Sequence, residues 1–575
     1  MSVRIVALLL VCFLWPSDAL HAQLQLAASG TDGMIAAVQP LATAAGLNAF
    51  EQGGNAVDAA IATAVMLGVV DSHNSGLGGG CFILIRKPDG ELLAIDGRET
   101  APQLASRDMF LRDGQAVPEL SQHGALAIGV PGAFAAYDKA MSVAGRLSLR
   151  TFLENAAVVA EEGYPIDRVM ARNLRDNADL IRAQEATRAV LLKSNDSPYT
   201  EGEILIQSDL AKTYRRLASD GQAWFYQGEF AEQTDRWMQA NGGVLRQKDF
   251  AAYQAKLRQP IVTRYRDYQI VGFPPPSSGG VHVAEMLNIL EHFDLAQLHQ
   301  QDPQLVIHVV AEAMKLAFAD RAYWLGDADF VGVPKGLVDK RYAARLAQRI
   351  DLAKATEVSS HGTPEDWDRN QFGKHTTHIA AADAEGYWVA ITATVNTSFG
   401  SKVMIPGTGL VLNNEMDDFS AQPGVPNAFG LIGAENNAVA PGKRPLSSMS
   451  PTIVLKNGQP VMTLGAAGGP KIITQVLLTI IRHLDLGMPI DQAVAAPRFH
   501  HQWKPDRLFI ERTWSETAVN SLQRKGHAIE FLDHVGILQA IVRTPEGTFT
   551  GVADPRVPGK AAGFTKGKAN NKSAN

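Results

Sequence analysis

A β-hairpin is encoded in the last third of the chain, and it restricts the fold more than any other feature of the sequence. Two runs of strand-forming residues, 376–383 and 387–396, are joined by Ala384-Glu385-Gly386. A three-residue connection that ends in glycine is a common hairpin loop, because glycine accepts the left-handed conformation needed there. The chain must therefore contain an antiparallel sheet, and the loop sets the pairing of these two strands.

The loop also predicts which side chains meet. If Asp383 pairs with Tyr387, the numbers of opposed residues sum to 770, and Thr376 lies opposite Thr394. Side chains alternate along a strand, so one face carries Thr392, Thr394 and Asn396. Threonine is also a good strand former, and cross-strand threonine pairs stabilise sheets, so the pattern alone does not require a functional site.

The chain before the hairpin is mainly helical. Residues 56–67 form an alanine-rich helix that is apolar almost all round and should lie inside the molecule. Periodicity predicts helices over most of residues 120–350, of which 303–323 is the clearest. The proline-rich segment 273–280 is interpreted as a rigid, exposed loop. The glycine-rich segment 75–80 leads into a strand without a following Lys-Ser/Thr, so a nucleotide site is not indicated.

The first 22 residues have the features of a secretory signal peptide. Arg4 is followed by an apolar run over residues 5–15 and by a small residue, Ala22, before Gln23. The apolar run is too short to span a bilayer, which takes about 20 residues, so an uncleaved anchor is the less favoured alternative. We therefore expect an exported protein, periplasmic or secreted, without stable membrane insertion.

Composition gives no indication of a nucleic-acid-binding protein or of a disulfide-stabilised one. The 575 residues are 46% hydrophobic and 19% charged, and a net charge of −6 without a long block of lysine and arginine does not indicate a nucleic-acid partner. The two cysteines are Cys12, which leaves with the signal peptide, and Cys81, so no internal disulfide is expected. Cys81 lies in an apolar run and is interpreted as a buried strand residue rather than a catalytic thiol.

Residues 355–375 differ in composition and periodicity from the helical region before them. They are polar with little periodicity and are interpreted as a mobile segment. Because this segment runs directly into the strand that opens at Thr376, it suits a cleavage site between two packed pieces. The tail, 558–575, is rich in Lys, Gly and Asn and is predicted to be disordered.

Three later segments carry polar groups in turn-like contexts. Residues 413–419 place acids in a short turn, 445–451 present three serine hydroxyls, and 464–471 end a strand in glycines. Successive N–H groups in such a glycine turn can form an anion-binding nest that suits an oxyanion. Taken singly, each segment has an ordinary interpretation, since acids are usually solvated, serines cap turns and glycines permit them.

In combination, these motifs resemble the gamma-glutamyltransferase family, a branch of the N-terminal nucleophile hydrolases. The resemblance runs from about residue 30 to residue 556, with the motifs in family order and at family-like spacing. The motifs are Gly53–Ala60, Asp96–Pro102, Thr376–His378, Thr394–Asn396, Asn414–Ser420, Arg444–Pro451, Gly468-Gly469 and Ala496–Trp503.

The resemblance implies an α+β fold, a four-layer αββα sandwich built from two autoproteolytic fragments of one chain. The Thr376 hydroxyl would attack the His375 carbonyl, and hydrolysis of the resulting ester would cut the chain between them. The division is then a signal peptide, 1–22, a large fragment, 23–375, and a small fragment, 376–575, with residues 566–575 disordered. The two fragments would remain together as a heterodimer.

The resemblance also implies the reaction. Thr376 attacks the γ-carbonyl of a γ-glutamyl donor such as glutathione, and water, an amino acid or a dipeptide then accepts the glutamyl group. The freed α-amino group has an ordinary pKa near 7.7–8.0 and can act as the base for its own hydroxyl. Thr394 is assigned a hydrogen bond to that hydroxyl, and the N–H groups of Gly468 and Gly469 are assigned to the oxyanion.

The remaining site residues are assigned to the free amino-acid end of the substrate. Arg98 offers its α-carboxylate a planar bidentate donor, and Ser447 and Ser448 add hydrogen bonds. The acceptors for its α-ammonium are Asn396, Glu415 and Asp418. No cofactor or metal is expected, because the tandem His500-His501 would point to opposite faces of a strand.

Three positions depart from the family pattern. Residues 423–441 correspond to a lid loop in some members, and Phe429 stands where many bacterial relatives have a tyrosine. Without a hydroxyl, Phe429 cannot hydrogen-bond to Asn396, so the lid would close by packing alone. Glu415 stands where some relatives have glutamine, and Ala467 replaces a proline common before the glycine pair.

Two alternatives remain. A cephalosporin or glutaryl acylase on the same scaffold would not need the complete amino-acid clamp, which argues against it. A non-catalytic exported binding protein would keep the fold without cleavage, which the intact Thr376 and its neighbours disfavour.

Overall fold

Two seven-stranded antiparallel sheets lie face to face at the centre of the molecule. The computed structural model describes residues 27–364 and 378–567. The predicted signal peptide, the cleavage residues His375 and Thr376, and the last eight residues lie outside the described residues.

The first sheet contains strands from both ends of the chain and from its middle. Its strands, in spatial order, are β1 (Ala27–Gly30), β20 (Phe549–Ala553), β19 (Ile537–Arg543), β15 (Gln459–Ala467), β14 (Thr452–Lys456), β11 (Tyr268–Gly272) and β10 (Ile261–Tyr265).

The second sheet also combines strands from distant parts of the chain. Its strands, in spatial order, are β21 (Lys560–Phe564), β2 (Gly33–Ala37), β12 (Ile379–Asp383), β13 (Trp388–Thr394), β3 (Gly80–Arg86), β4 (Leu92–Gly97) and β9 (Lys256–Arg258). Smaller sheets are formed by β16 (Phe499–His500), β17 (Leu508–Glu511) and β18 (Ile529–Leu532), by β5 (Leu111–Arg112) and β6 (Gln115–Ala116), and by β7 (Tyr164–Pro165) and β8 (Ile204–Leu205).

Helices cover the outer face of each large sheet. Those that pack on or near the second sheet are α1 (Pro40–Glu51), α2 (Ala56–Val70), α4 (Ala133–Ala144), α5 (Leu149–Glu162) and α9 (Ser208–Gln222). Those on or near the first sheet are α12 (Ser278–Leu290), α14 (Pro303–Trp324), α15 (Lys340–Ala347), α16 (Lys471–Leu484) and α17 (Ile490–Ala495). The four-layer αββα sandwich implied by the sequence is confirmed.

The remaining helices are shorter or lie at the periphery. They are α3 (Pro118–Gln122), α6 (Arg168–Asp176), α7 (Ala178–Arg182), α8 (Glu185–Leu191), α10 (Glu229–Ala240), α11 (Gln247–Ala252), α13 (Leu295–Gln301) and α18 (Glu516–Arg524). None of the helices in the described residues combines the length and the apolar character that a membrane span needs.

The hairpin predicted from the sequence is present with the predicted pairing. Ile379 pairs with Ile391 and Ala382 with Trp388, so the numbers of opposed residues sum to 770. Gly386 closes the loop with φ of +104°, a conformation that glycine adopts without strain. The hairpin occupies the middle of the second sheet, between β2 and β3.

Alternation along the hairpin explains why both of its faces are apolar. Ala380, Ala382 and Trp388 face the first sheet, whereas Ile379 and Ile391 face the helices around α2. The small alanines on the inner face let the two sheets approach each other, and the buried α2, predicted as an internal helix, covers the outer face. The hairpin is therefore packed against the first sheet on one face and against α2 on the other.

Two sequence interpretations are wrong. Residues 273–280, expected to form an exposed loop, are entirely buried, because Ser277 caps α12 and this turn packs against residues 447–450. The tail was expected to be disordered from residue 558, but Lys560–Phe564 forms β21 and pairs with β2 along its full length. Its small residues, Ala561 to Gly563, suit this crowded edge better than their composition suggested.

Replacement of Trp388 by alanine tests the packing between the two sheets. The side chain is fully buried between them and lies 5.7 Å from the Phe549 ring, centroid to centroid. We expect Trp388→Ala to lower the free energy of unfolding by about 3–5 kcal/mol, measured by urea denaturation. The control is Val262→Ala, on a strand position that is 48% exposed, which should change it by less than about 0.5 kcal/mol. Equal losses in the two variants would contradict this packing.

Candidate active site

A cavity of about 390 Å³ opens where β13 and β15 end beside each other. Nearly all the residues predicted for the site converge on it. Its walls include Thr394, Asn396, Glu415, Asp418, Phe429, Ser447, Ser448, Gly468 and Gly469. These residues come from five separate stretches of the sequence, and the two sheets bring them together.

The end of β13 forms one wall. After Thr394 the chain leaves the strand, and Asn396 adopts φ of +79°, so strand alternation does not extend to it. The Thr394 hydroxyl accepts a hydrogen bond from the Asn396 N–H at 2.7 Å, and the Asn396 amide donates to the Asn414 carbonyl at 3.0 Å. Thr392, predicted to share this face, lies instead against His378 and does not line the cavity.

The glycine-rich turn at residues 75–80 is needed because β13 ends against it. A side chain on Gly79 would overlap the carbonyl oxygen of Thr394. Gly79 therefore permits the close approach of two backbone segments.

Gly468 and Gly469 form the turn between β15 and α16, on the wall opposite β13. Both have positive φ, +128° and +59°. Their amide N–H groups donate to no acceptor within the described residues. Two adjacent N–H groups without acceptors, at the N-terminal end of α16, favour an oxyanion or another anion.

Arg98 lies at the base of the site, fully buried. Its guanidinium contacts Glu415, donates to Asp418 at 2.6 Å, and lies 3.5 Å from Glu99. The predicted carboxylate ligand and two of the predicted ammonium ligands are therefore in direct contact. Arg98 holds the two acids in place and balances their charge, and both acids face the cavity.

Burial raises the pKa values of acids in this cluster. It raises the pKa of Glu99 to about 7, although the charge of Arg98 opposes the rise. It also raises the pKa of Glu415 well above its ordinary value, and the nearby charges of Glu99 and Asp418 add to this effect. A cation bound beside these three carboxyl groups would lower their pKa values and favour their ionised forms.

Ser447 and Ser448 lie in an extended segment beside the start of α12. The Ser278 hydroxyl donates to the Ser447 carbonyl at 2.6 Å, and Arg321 donates to the Ser448 hydroxyl at 3.1 Å. Backbone contacts thus fix this segment, while both serine side chains line the cavity.

The segment predicted as a lid covers the cavity through Phe429. Its ring packs on Gly469, where an added Cβ atom would lie 2.7 Å from a ring carbon. Asn427 caps the turn by accepting from the N–H groups of Phe429 and Leu431, each at 3.1 Å. The loop therefore lies over the glycine turn through apolar contact, as expected for a residue without a hydroxyl.

A second, smaller cavity of about 190 Å³ adjoins the first one. The two share Asn74, Ala467, Gly468 and Lys471, and His378 lines the smaller one. Burial lowers the pKa of His378 to about 3, so this histidine is neutral. The first described residue after the predicted cleavage site therefore lines the cavity that adjoins the larger one.

Potential metal ligands lie elsewhere. His308, Glu312 and His527 place ligand atoms within 4.8 Å of one another. His308 hydrogen-bonds to His527 at 2.7 Å and Glu312 pairs with Lys315 at 2.8 Å, so these polar groups already satisfy one another. His500 and His501 bond to different partners, Thr474 and Gln502 for the first and Asp506 for the second, as their structural interpretation predicted.

Sequence reasoning missed several residues that shape the site. Glu99 and Arg321 are buried charges that contact predicted site residues, and Lys471 lines both cavities. The signal for Arg321 was present, because Asp320-Arg321 interrupts the end of an otherwise apolar helix. The roles assigned to individual site residues remain predictions.

Comparisons with known proteins agree with this geometry. A family model described as gamma-glutamyltranspeptidase matches residues 42–564. The chain is 42% identical over 532 residues to the glutathione hydrolase proenzyme of Escherichia coli (strain K12), with 91% of this chain and 90% of that protein covered.

Solved structures give the same result. The gamma-glutamyltranspeptidase of Helicobacter pylori is 38% identical with a TM-score of 0.56, covering 58% of this chain and 96% of that chain. The cephalosporin acylase of Bacillus halodurans is 28% identical with a TM-score of 0.84, covering 97% of this chain and 99% of that one.

The raised pKa of Glu99 predicts a specific dependence of stability on pH. The folded protein keeps a proton on Glu99 up to about pH 7, whereas a glutamate in the unfolded chain loses it near 4.5. This group therefore makes stability fall as the pH rises from 4.5 to 7. Between pH 5 and 8, the free energy of unfolding of the parent protein should fall by about 1–3 kcal/mol more than that of Glu99→Gln, because glutamine cannot ionise.

Urea denaturation at both pH values measures this difference. Val262→Ala provides the control, since it removes no ionisable group from an exposed position and should leave the shape of the pH profile unchanged. Parallel profiles for Glu99→Gln and the parent protein would show that Glu99 is ionised throughout.

Proposed function

The chain belongs to the gamma-glutamyltranspeptidase family, and from this premise we propose that Thr376 is the nucleophile of its reaction and that the cavity described above binds the γ-glutamyl group. The protein is a gamma-glutamyltransferase and glutathione hydrolase of the N-terminal nucleophile class, made as a self-processing proenzyme. Its substrates are γ-glutamyl compounds such as glutathione, with water, amino acids or dipeptides as acceptors.

The position of the hairpin supports Thr376 as the nucleophile. Residue 376 precedes His378 by two positions, and two consecutive Cα–Cα steps span at most about 7.6 Å. His378 lines the smaller cavity, which shares four residues with the larger one. The pairing of β12 with β13, continued by three residues beyond Ile379, would set Thr376 opposite Thr394, which lines the larger cavity.

Cleavage between His375 and Thr376 would supply the base. The new α-amino group has an ordinary pKa near 7.7–8.0, so that a substantial fraction is neutral near pH 7–8. It would take the proton from the Thr376 hydroxyl as that oxygen attacks the γ-carbonyl, and return it to the departing amine. Because burial keeps His378 unprotonated, this histidine adds no positive charge beside the amine.

The glycine turn would stabilise the oxyanion. The N–H groups of Gly468 and Gly469, which donate to no acceptor within the described residues, lie across the cavity from β13. Donors held in place before the reaction stabilise the developing charge without reorganisation. Their positive φ values fix this orientation and exclude larger residues at both positions.

The single observation that carries the proposal is the acid cluster. Glu415 and Asp418 face the cavity, held by the fully buried Arg98, and they offer carboxyl oxygens to a ligand. An α-ammonium group would donate to these oxygens, and Asn396 lines the same cavity. We propose that the α-carboxylate lies at Ser447 and Ser448, with Arg98 as the predicted cation of the subsite.

An acylase is the second candidate, because the cephalosporin acylase shares this fold over nearly the whole chain. A glutaryl side chain carries no α-ammonium group, so a site built for it would gain nothing from two acids that face the cavity. The acid cluster therefore favours the γ-glutamyl donor.

We also propose that the protein is exported to the periplasm or the medium. The positive start, the short apolar run and the small residue before Gln23 support removal of residues 1–22. The two fragments then begin at Gln23 and at Thr376.

Sequencing the N-termini of the purified fragments tests both cleavages. We expect two polypeptides that begin at Gln23 and Thr376. The Thr376→Ala variant should remain one polypeptide and show less than about 0.1% of the parent glutathione hydrolysis, because loss of a nucleophile removes the covalent route. Thr394→Val serves as the matched control, since it keeps the nucleophile and should still be cut, at a lower rate. A cleaved, active Thr376→Ala protein would overturn the assignment.

Two chromogenic donors separate the transferase from the acylase. L-γ-glutamyl-p-nitroanilide carries the α-ammonium group, whereas glutaryl-p-nitroanilide lacks the α-amino group. We expect kcat/KM to be at least about 100-fold higher for the former, since only this donor offers the buried acids an ammonium group. Asp418→Asn should reduce this ratio by at least about tenfold. Equal turnover of both donors would favour the acylase.

A further inference from the structure

We infer that Arg321 is a positioning residue for the α-carboxylate of the donor, acting through the hydroxyl of Ser448. The inference rests on the proposed function, because it deepens the subsite at Ser447 and Ser448. Arg321 lies near the C-terminal end of α14 and is only 3% exposed, so it does not itself line the cavity.

Arg321 makes its hydrogen bonds to two serine hydroxyls. Its Nε donates to the Ser278 hydroxyl at 3.0 Å, and its Nη2 donates to the Ser448 hydroxyl at 3.1 Å. Within the described residues, no carboxylate lies at ion-pair distance from it. The guanidinium therefore stands directly behind a cavity wall with only neutral acceptors.

The most deeply buried arginines of the protein are all paired with acids. Arg98 contacts Glu415 and Asp418, Arg444 lies 2.5 Å from Asp96, and Arg498 lies 2.7 Å from Asp554. This pairing is expected, because a buried charge without a partner is unfavourable. Within the described residues, the buried Arg86 and Arg482 also donate to neutral acceptors, but Arg321 differs from them in donating to a side chain that lines the cavity. An anion bound at Ser448 would therefore lie close to its charge.

The direction of the hydrogen bonds fits an anion in the cavity. A guanidinium has no acceptor, so Arg321 must donate and the Ser448 oxygen must accept. The proton of the Ser448 hydroxyl is then directed away from Arg321, and no acceptor within the described residues takes it. It remains available for a carboxylate oxygen, so Ser448 would transmit the positive charge of Arg321 to the substrate.

The neighbouring serine is fixed by the same arginine. Ser278 accepts from Arg321 and donates to the Ser447 carbonyl at 2.6 Å. Arg321 thus orders one serine through its side chain and the other through its backbone. Burial lowers the pKa of Arg321 to about 10, which the charge of Asp418 partly opposes, and the group stays protonated at neutral pH.

Arg98 does not make this charge redundant. Its guanidinium is already engaged by Glu415 and Asp418, and Glu99 lies beside it. A carboxylate that approached Arg98 alone would meet the field of these acids. Arg321 lies on the other side of the serines, and we assign to it a contribution, in addition to that of Arg98, to the preference for donors with an α-carboxylate.

Two donors that differ only at the α-carboxylate test this role. One is L-γ-glutamyl-p-nitroanilide, and the other is the same compound with an α-carboxamide. For Arg321→Gln we expect KM for the carboxylate donor to rise at least about tenfold, with kcat within about threefold of the parent value. For the carboxamide donor, kcat/KM should change by less than about threefold, because it carries no charge for Arg321 to attract. Arg321→Lys, which keeps the charge, should restore most of the preference.

Arg482 provides the matched control. It is also a buried arginine, but it caps the carbonyls of Ala493, Ala496 and Pro497 and does not line the cavity. Arg482→Gln should therefore affect both donors by the same factor. Arg321→Met, which keeps the apolar stem of the side chain, gives a second neutral variant if Arg321→Gln is not processed.

An equal loss with both donors in the Arg321 variants, or no loss with either, would overturn the inference. A selective loss that persists unchanged in a Ser448→Ala background would also overturn it, because the effect would then not pass through that hydroxyl. Failure of the proposed function looks different, since the parent protein would then turn over neither donor.

Discussion

The contact of Arg98 with Glu415 and Asp418 is the interaction on which the site depends. The guanidinium comes from the end of β4, and the acids come from a short turn after the hairpin, more than 300 residues later in the chain. All three groups are buried, so neither side could be accommodated without the other. The position of this ion cluster sets the position of the two acids at the cavity. The turn that carries the acids is joined to Asn396 by the hydrogen bond from the Asn396 amide to the Asn414 carbonyl. Arg444 and Asp96 make a second such contact nearby, again between distant parts of the chain.

The architecture explains how the chain can be cut beside its own active site. In the second sheet, β12 and β13 lie between β2 and β3, so strands from after the proposed cut are paired on both sides with strands from before it. In the first sheet, β1 pairs with β20, and β11 with β14. Ladders of hydrogen bonds and buried ion pairs therefore join the two pieces without help from a peptide bond. The cut frees an amine where a catalyst needs one and leaves the layers in place.

Much of the fold could be predicted from local patterns, and the failures have identifiable causes. The pairing of the hairpin followed from a three-residue loop ending in glycine, because loop length fixes register. The buried helix α2 followed from its apolar circumference. The proline-rich segment before α12 was misjudged because its burial comes from residues 447–450, which are far away in sequence. Strand β21 was missed because small residues are weak strand formers, and only its place beside β2 accounts for it. For the site, residue types indicated which groups gather. They did not indicate that Arg98 would contact Glu415 and Asp418, or that Arg321 would donate to Ser448 from behind the cavity wall.

Interleaving of the two pieces has a further consequence for the processed enzyme. Once the chain is cut, unfolding releases two separate polypeptides, and their reassembly becomes a second-order event that slows with dilution. Each piece alone would expose the unpaired edges of several strands, which are templates for aggregation. The mature enzyme is therefore expected to persist because unfolding is slow rather than because refolding is easy. Such a protein folds once, as a single chain, and the rate at which it unfolds then sets how long it stays active.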